Sequence, residues 1–237
     1  MFTGLIREIG TLRSLRSGAG VSRLRIEAAA TAAAAAVGDS IAVNGICLTV
    51  TERAGRTFSV EAAVETRRLT TLHRWRTGQR LHLEPALRAG DPLDGHLVQG
   101  HVDGRGEVVA VRRAGASRLV TVELPAQLAR FLTPKGSVAV DGVSLTVDEG
   151  PFVDRFTVNL IPHTLAATTF AALRPGQAVN LEMDVLVKAA RAGDLSALPS
   201  TRTAGRAAPP TPQPPLRERL LASGFRRLAR PGSKGSS

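Results

Sequence analysis

The chain repeats itself. Residues 38–50 read GDSIAVNGICLTV, and residues 135–147 read KGSVAVDGVSLTV. Seven of the thirteen positions are identical, and Ile/Val, Asn/Asp, Ile/Val and Cys/Ser pairs account for four more. The correspondence runs outward in both directions. Gly4 answers Gly100, Ser22-Arg23-Leu24 answers Ser117-Arg118-Leu119, Phe58-Ser59-Val60 answers Phe156-Thr157-Val158, and Leu83-Glu84 answers Leu181-Glu182. The offset drifts only from 95 to 98. An ordered repeat of this kind means one structural unit built twice. It divides the chain into a module at 1–95, a second at 96–187 and a C-terminal segment at 188–237, each module near the common size of a small domain. Two like modules offer two like pockets, an arrangement suited to a reaction between two molecules of one substrate.

Within each module short alternating apolar runs dominate. Ser40–Val43 and Leu48–Val50 flank Asn44-Gly45, a tight-turn signal that Asp141-Gly142 repeats. Phe58–Ala62, Phe156–Leu160, Leu81–Glu84 and Val179–Glu182 read as further strands. Each module carries one short helix in this reading: Pro125–Leu132, with proline at its start, and the almost pure alanine stretch Ala28–Val37. Many short strands with glycine turns predict an all-β chain of two small closed barrels, since closure removes exposed strand edges. After the second module Val185–Ala192 predicts a short helix that Gly193-Asp194 stops. Six prolines within 199–215 predict a disordered linker, and Leu216–Leu228 carries a basic amphipathic pattern.

Composition narrows the function. The single cysteine, Cys47, excludes an internal disulfide and a metal site built on cysteines. No apolar run reaches membrane-spanning length, and the MFTGLIREIG start lacks the layout of a secretory signal, so a cytoplasmic protein is expected, without a membrane partner. The net charge of +11 raises nucleic acid as a partner. From 189 onward, however, nine Lys/Arg face only two Asp/Glu, so most of the excess lies in the tail. Aromatic residues make up 3% of the chain, a poor supply for stacking on bases.

MFTG at the start, NGICLTV, GHLVQGHVDG at 95–104, DGVSLTV and LIPHTL stand in order on this duplicated chain. Together they resemble the riboflavin synthase α-chain, a family of lumazine-binding repeats, over residues 1 to about 187. The resemblance implies two six-stranded Greek-key barrels and a homotrimer, with association with lumazine synthase by analogy. It implies dismutation of 6,7-dimethyl-8-ribityllumazine, in which one molecule gives a four-carbon unit to another, without cofactor or metal. It also places each active site between the first barrel of one subunit and the second barrel of a neighbour.

That chemistry asks for proton removal from a ring methyl group, a nucleophile for the second ring, and two rings held face to face. His101, the second histidine of the GHxxxGH motif, is the first candidate for proton traffic, because histidine titrates near neutrality. His96 shares the motif and reads as structural. Cys47 and Ser144 are equivalent, and each shares a strand face with a threonine, Thr49 or Thr146. Cys47, Ser144 and Thr146 join the catalytic candidates on a barrel's inner or rim face. A free cysteine there is also read as a small buried group. Asp184, closing the last strand, matches an acidic family position and reads equally as a turn cap. The resemblance carries substrate binding onto Phe2, Thr3, Gly4, Leu5, Ile6, Ser40, Cys47, Leu48 and Thr49, and onto Glu61, Ala62, Ala63, Val64, Glu65 and Thr66. In the second module it falls on Gly100, His101, Val102, Lys135, Ser144, Leu145 and Thr146, then on Ile161, Pro162, His163, Thr164, Leu165 and Ala166. Two positions depart from the family pattern: Ile46 replaces the first of two adjacent cysteines, and His163 replaces the usual glutamate. The rival readings are a non-catalytic lumazine or flavin carrier on the same fold, and a basic nucleic-acid-binding barrel.

Overall fold

A computed structural model describes residues 1–18 and 20–192. The expectations for Gly193-Asp194, the proline-rich stretch and Leu216–Leu228 lie outside the described residues.

The first barrel is built from β1 (Glu8–Ser17), β2 (Val21–Glu27), β3 (Ser40–Val43), β4 (Ile46–Ala54), β5 (Thr57–Ala63) and β6 (Arg80–Pro85). The second uses β7 (Gly104–Ala114), β8 (Ser117–Glu123), β9 (Ser137–Val140), β10 (Val143–Phe152), β11 (Arg155–Leu160) and β12 (Ala178–Met183). The sheets close in the orders β1-β2-β5-β4-β3-β6 and β7-β8-β11-β10-β9-β12, and all pairs are antiparallel. Adding six to each strand number of the first barrel gives the second. Both barrels lie within one compact unit.

Alternation explains the strands. On β2 Ser22, Leu24 and Ile26 are buried while Val21, Arg23 and Arg25 are exposed. A period of two sends successive side chains to opposite faces of the sheet. Leu12, Leu24, Phe58, Leu81 and Leu83 fill one barrel, and Val108, Val122, Phe156, Leu181 and Met183 fill the other. Asn44-Gly45 joins β3 to β4 with both residues at positive φ, 46° and 76°, and Asp141-Gly142 joins β9 to β10 at 43° and 78°. Two positive φ angles are what a two-residue hairpin turn requires.

The helices depart from the sequence reading. The two expected segments shrink to α1 (Ala29–Ala34) and α3 (Ala126–Ala129). Each barrel also carries a second helix, α2 (Val64–Leu69) or α4 (Pro162–Ala167), followed by a 3-10 turn at Thr71–Arg74 or Thr169–Ala172. These six-residue helices are too short to show an apolar stripe, and β-branched Val64, Thr66 and Thr164 hide their character. Met183 ends β12, and α5 (Val185–Ala192) follows.

A seam of paired bonds joins the barrels. The Asn44 carboxamide oxygen accepts the His82 amide at 2.7 Å, and the Asp141 carboxylate accepts the Asn180 amide at 2.8 Å. Across the seam Asn180 donates its side-chain NH2 to the Asn44 carbonyl at 2.8 Å and accepts the Thr71 amide at 2.8 Å. His82 does the same in reverse. Its Nδ1 meets the Asp141 carbonyl at 2.9 Å, and its Nε2 receives the Thr169 amide at 2.9 Å. An imidazole thus does the work of a carboxamide, which fixes it as the neutral tautomer with the proton on Nδ1. Burial pushes its pKa down to about 4.

Candidate active site

The segments leading into the two barrels cross. Phe2 and Val98 pair through reciprocal amide–carbonyl bonds of 2.7 and 3.1 Å, and both side chains are buried between the barrels with Ala42 and Ala139. Beyond that bridge each segment runs onto the other module. The Ser144 amide donates to the Gly4 carbonyl at 2.8 Å, and the Cys47 amide donates to the Gly100 carbonyl at 2.9 Å. Ile6 packs against the second barrel's core, and Val102 against the first. Glycine is required at both contacts. A Cβ on Gly4 would lie 2.6 Å from that of Ser144, and one on Gly100 would lie 2.5 Å from that of Cys47, with φ at +78° and +77°.

The crossing builds two outer-face sites. On β10 Ser144 is half-buried, Thr146 is exposed and Val143, Leu145 and Val147 point inward. On β4 Cys47 and Thr49 take the same positions, with Ile46, Leu48 and Val50 inside. The candidate polar pairs therefore stand on the outer face, not the inner one, because the β-branched and leucine neighbours take the core. Beside β10 a cleft of about 230 Å³ is lined by Ser144, Leu145, Thr146, Asp148, Asn159, Ile161 and Thr164. The duplication places Cys47, Leu48, Thr49, Thr51, Glu61, Ala63 and Thr66 at the corresponding positions of the first barrel.

The two sites differ in their acid–base groups. Nδ1 of His96 lies 2.6 Å from Oγ of Ser144, and the His96 amide donates to the Thr3 carbonyl at 3.1 Å. The Nε2 atom of His96 is buried without a hydrogen-bond partner among the described residues. Burial lowers the pKa of this imidazole, opposed by the negative charge of Asp184. A neutral imidazole at that distance can take the Ser144 proton. On the first barrel the adjoining histidine is instead His101, exposed and one residue beyond the Gly100–Cys47 contact. Among the described residues no group of three or more His, Cys, Asp or Glu is placed to hold a metal ion, and no helix is long and apolar enough to cross a membrane.

A model of the lumazine binding domain matches residues 3–86 and again 99–184. The chain is 43% identical over 193 residues to the riboflavin synthase of Brucella abortus, covering 79% of this chain and 95% of that one. It is 39% identical over 188 residues to the riboflavin synthase of Bacillus subtilis, covering 79% and 87%. The chain belongs to the riboflavin synthase family. The fold is also that of LumP, solved with riboflavin and with 6,7-dimethyl-8-(1'-D-ribityl)lumazine. Those structures match with TM-scores of 0.72 and 0.70 at 21% and 20% identity, covering 77% of this chain and 99% of LumP.

With the family established, the remaining candidates fall into three groups. The first lies on the outer faces. Thr66 and Thr164 are half-buried there, while Ala63, Glu65, Ile161, Pro162, His163 and Ala166 are exposed; Leu165 instead packs against the second core. Glu65 is held by Arg68 at 2.6 Å, Glu61 by Arg23 at 2.7 Å, and Lys135 by Asp148 at the cleft rim. The second group offers no side-chain surface. Phe2 and Thr3 are buried between the barrels, and Leu48 and Ala62 belong to the first core. The third borders other features as well. Ser40 stands opposite Thr49 in the β3–β4 pairing and also lines a cavity with Thr31 and Pro85, Val64 faces a groove with Val21 and Arg105, and Asp184 lies close enough to His96 for its charge to act on that imidazole. Asp184 caps α5, accepting the Leu186 amide at 2.9 Å, so it begins that helix rather than ending β12.

Sequence reasoning missed three things. The contact of His96 with Ser144 is not readable from the sequence, although the doubled Gly-His of its motif is a signal for it. Asp148 and Asn159 line the cleft without having been singled out. The crossing, which brings Gly4 to Ser144 and Gly100 to Cys47, is not visible in a sequence read module by module.

Proposed function

We propose that this chain is a riboflavin synthase, converting two molecules of 6,7-dimethyl-8-ribityllumazine into riboflavin and 5-amino-6-ribitylaminopyrimidinedione. The donor ring gives up a four-carbon unit, and the acceptor ring incorporates it. The atoms of two lumazines equal those of the two products, so the step needs no outside oxidant, reductant or carrier. The observation that carries this reading is the inequality of two sites built from one motif. A dismutation asks different things of two identical molecules. Ser144 with His96 suits addition of a nucleophile at the second barrel, the hydroxyl proton passing to Nδ1. His101 suits proton removal at the first.

Two lumazines must meet face to face, and each barrel of one chain presents its own outer face. We assign the meeting to a homotrimer in which the first barrel of one subunit faces the second barrel of its neighbour. The setting is the cytoplasm, and association with lumazine synthase fits the same pathway of chemistry. Thr49 and Thr146 supply hydrogen bonds to the ring edges, and Thr66 and Thr164 supply them to the ribityl chain.

The test is direct. Purified protein incubated with the lumazine in the presence of a chelator forms riboflavin, followed by its absorbance and fluorescence, with two lumazines consumed for each riboflavin. Tight binding with no riboflavin formed would make the chain a carrier instead.

A further inference from the structure

Two buried carboxylates hold the crossing segments. Glu84 and Glu182 are the next-to-last residues of β6 and β12, and each is 3% exposed. Burying a carboxylate is costly unless its charge is met. Glu84 accepts the amides of Thr3 at 2.7 Å and Gly4 at 2.9 Å, and the Thr3 hydroxyl at 2.6 Å. Glu182 accepts the amides of Gln99 at 2.6 Å and Gly100 at 2.9 Å. Each therefore fixes the backbone just before the residue that reaches the opposite barrel. At that place the first segment carries Leu5 and the second carries His101. The second segment is fastened again beyond the histidine. Asp103 accepts the Met183 amide at 2.7 Å and the Lys188 ammonium of α5 at 2.9 Å. His101 thus stands between two clamps, both anchored where β12 passes into α5.

We propose that Glu182 is a positioning residue for the reaction: it acts through His101, holding the segment that delivers this histidine from the second module to the lumazine on the first barrel's outer face. The inference rests on the proposed role of His101 in proton transfer. Glu84 makes the same clamp on the segment that meets His96 and Ser144, with Leu5 at the place of His101, so its variant is the comparison for the limb that His101 supplies and not for overall rate. Displacement of a reacting group by about an ångström costs on the order of a hundredfold in rate.

Glu182→Gln keeps the size of the side chain and turns one acceptor into a donor facing an amide. The experiment measures kcat, KM and the pH profile of kcat for this variant, for His101→Ala and for the double variant, with thermal unfolding as the check on folding. Glu182→Gln is expected to lower kcat by about ten- to a hundredfold with KM within about threefold. It removes the same limb of the pH profile that His101→Ala removes, and the double variant is no slower than His101→Ala alone. Glu84→Gln keeps that limb. Losses that multiply in the double variant, or a Glu182→Gln enzyme with its pH limb intact, would overturn the proposal while leaving His101 in place. If His101→Ala turns over at the parent rate, the proton-transfer reading itself fails, and the proposal with it. Should Glu182→Gln not fold, Asp103→Asn loosens the far clamp and must show the same loss of limb and the same lack of additivity.

Discussion

Replacing His82 by asparagine tests whether the barrel seam depends on a neutral imidazole. The folded protein holds His82 at about 4, against an ordinary value of 6.5, because burial penalises the charged ring. Above pH 6.5 neither the folded nor the unfolded chain protonates this residue, and the full contribution of His82 is present. Between 6.5 and 4 the unfolded chain takes up a proton that the folded chain refuses, so stability falls as the pH falls. Below 4 both states are protonated and the loss stops. The difference corresponds to about 3 kcal/mol over the window. Protonation would also put an N–H on Nε2, facing the Thr169 amide that it now accepts at 2.9 Å.

Asparagine can supply the same donor and acceptor, as Asn180 does from the other module. His82→Asn loses the edge-on contact with Phe170, whose ring centroid lies 5.0 Å away, so it should cost about 1 kcal/mol at pH 7. The assay is urea unfolding of both proteins from pH 7 to 4.5 at one protein concentration. Asp141, which burial pushes up to about 7, favours the folded state as the pH falls through the same window. That contribution is common to both proteins and drops out of their difference. The wild type should lose about 2 to 3 kcal/mol relative to His82→Asn on acidification. A difference that stays constant with pH would refute the neutral-imidazole seam.

Two further outcomes follow from the site. His96→Gln and Ser144→Ala should each lower kcat by about a hundredfold or more, since each removes half of the proposed proton-transfer pair; additive losses in the double variant would show that the pair does not act as a unit. Gly100→Ala puts a Cβ 2.5 Å from that of Cys47 at φ +77°, whereas Gly78→Ala at φ +90° meets nothing within 4 Å among the described residues, so the first should cost about 2 kcal/mol or more and the second about 1 kcal/mol in urea unfolding; equal costs would mean that the crossing segment yields freely.

The fold was legible because its signals are local and doubled. Asn44-Gly45 and Asp141-Gly142 announce hairpins through backbone angles that few other residues adopt. Alternation then sets which side of each strand enters the core. The helices α2 and α4 were not legible, since six residues cannot display a helical period. The placement of Cys47 and Ser144 on one face with a threonine was readable from strand parity. Which face that is was fixed only by barrel closure, which turns Ile46, Leu48 and Val50 inward.

The crossing is hidden for a deeper reason. A repeat aligns Gly4 with Gly100, but alignment cannot say whether each segment serves its own barrel or the other one. Both topologies place a glycine ahead of the same barrel. The observed choice has a chemical consequence. Equivalent positions 5 and 101 hold leucine and histidine, and the exchange sends the histidine to the barrel that carries Cys47 and leaves the leucine beside the barrel that carries Ser144 and His96. A duplication that kept its segments in place would have put His101 and His96 on one barrel and left the other without a histidine at this contact. Exchange distributes one histidine to each proposed site, so on this reading two copies of a single motif become complementary rather than equal.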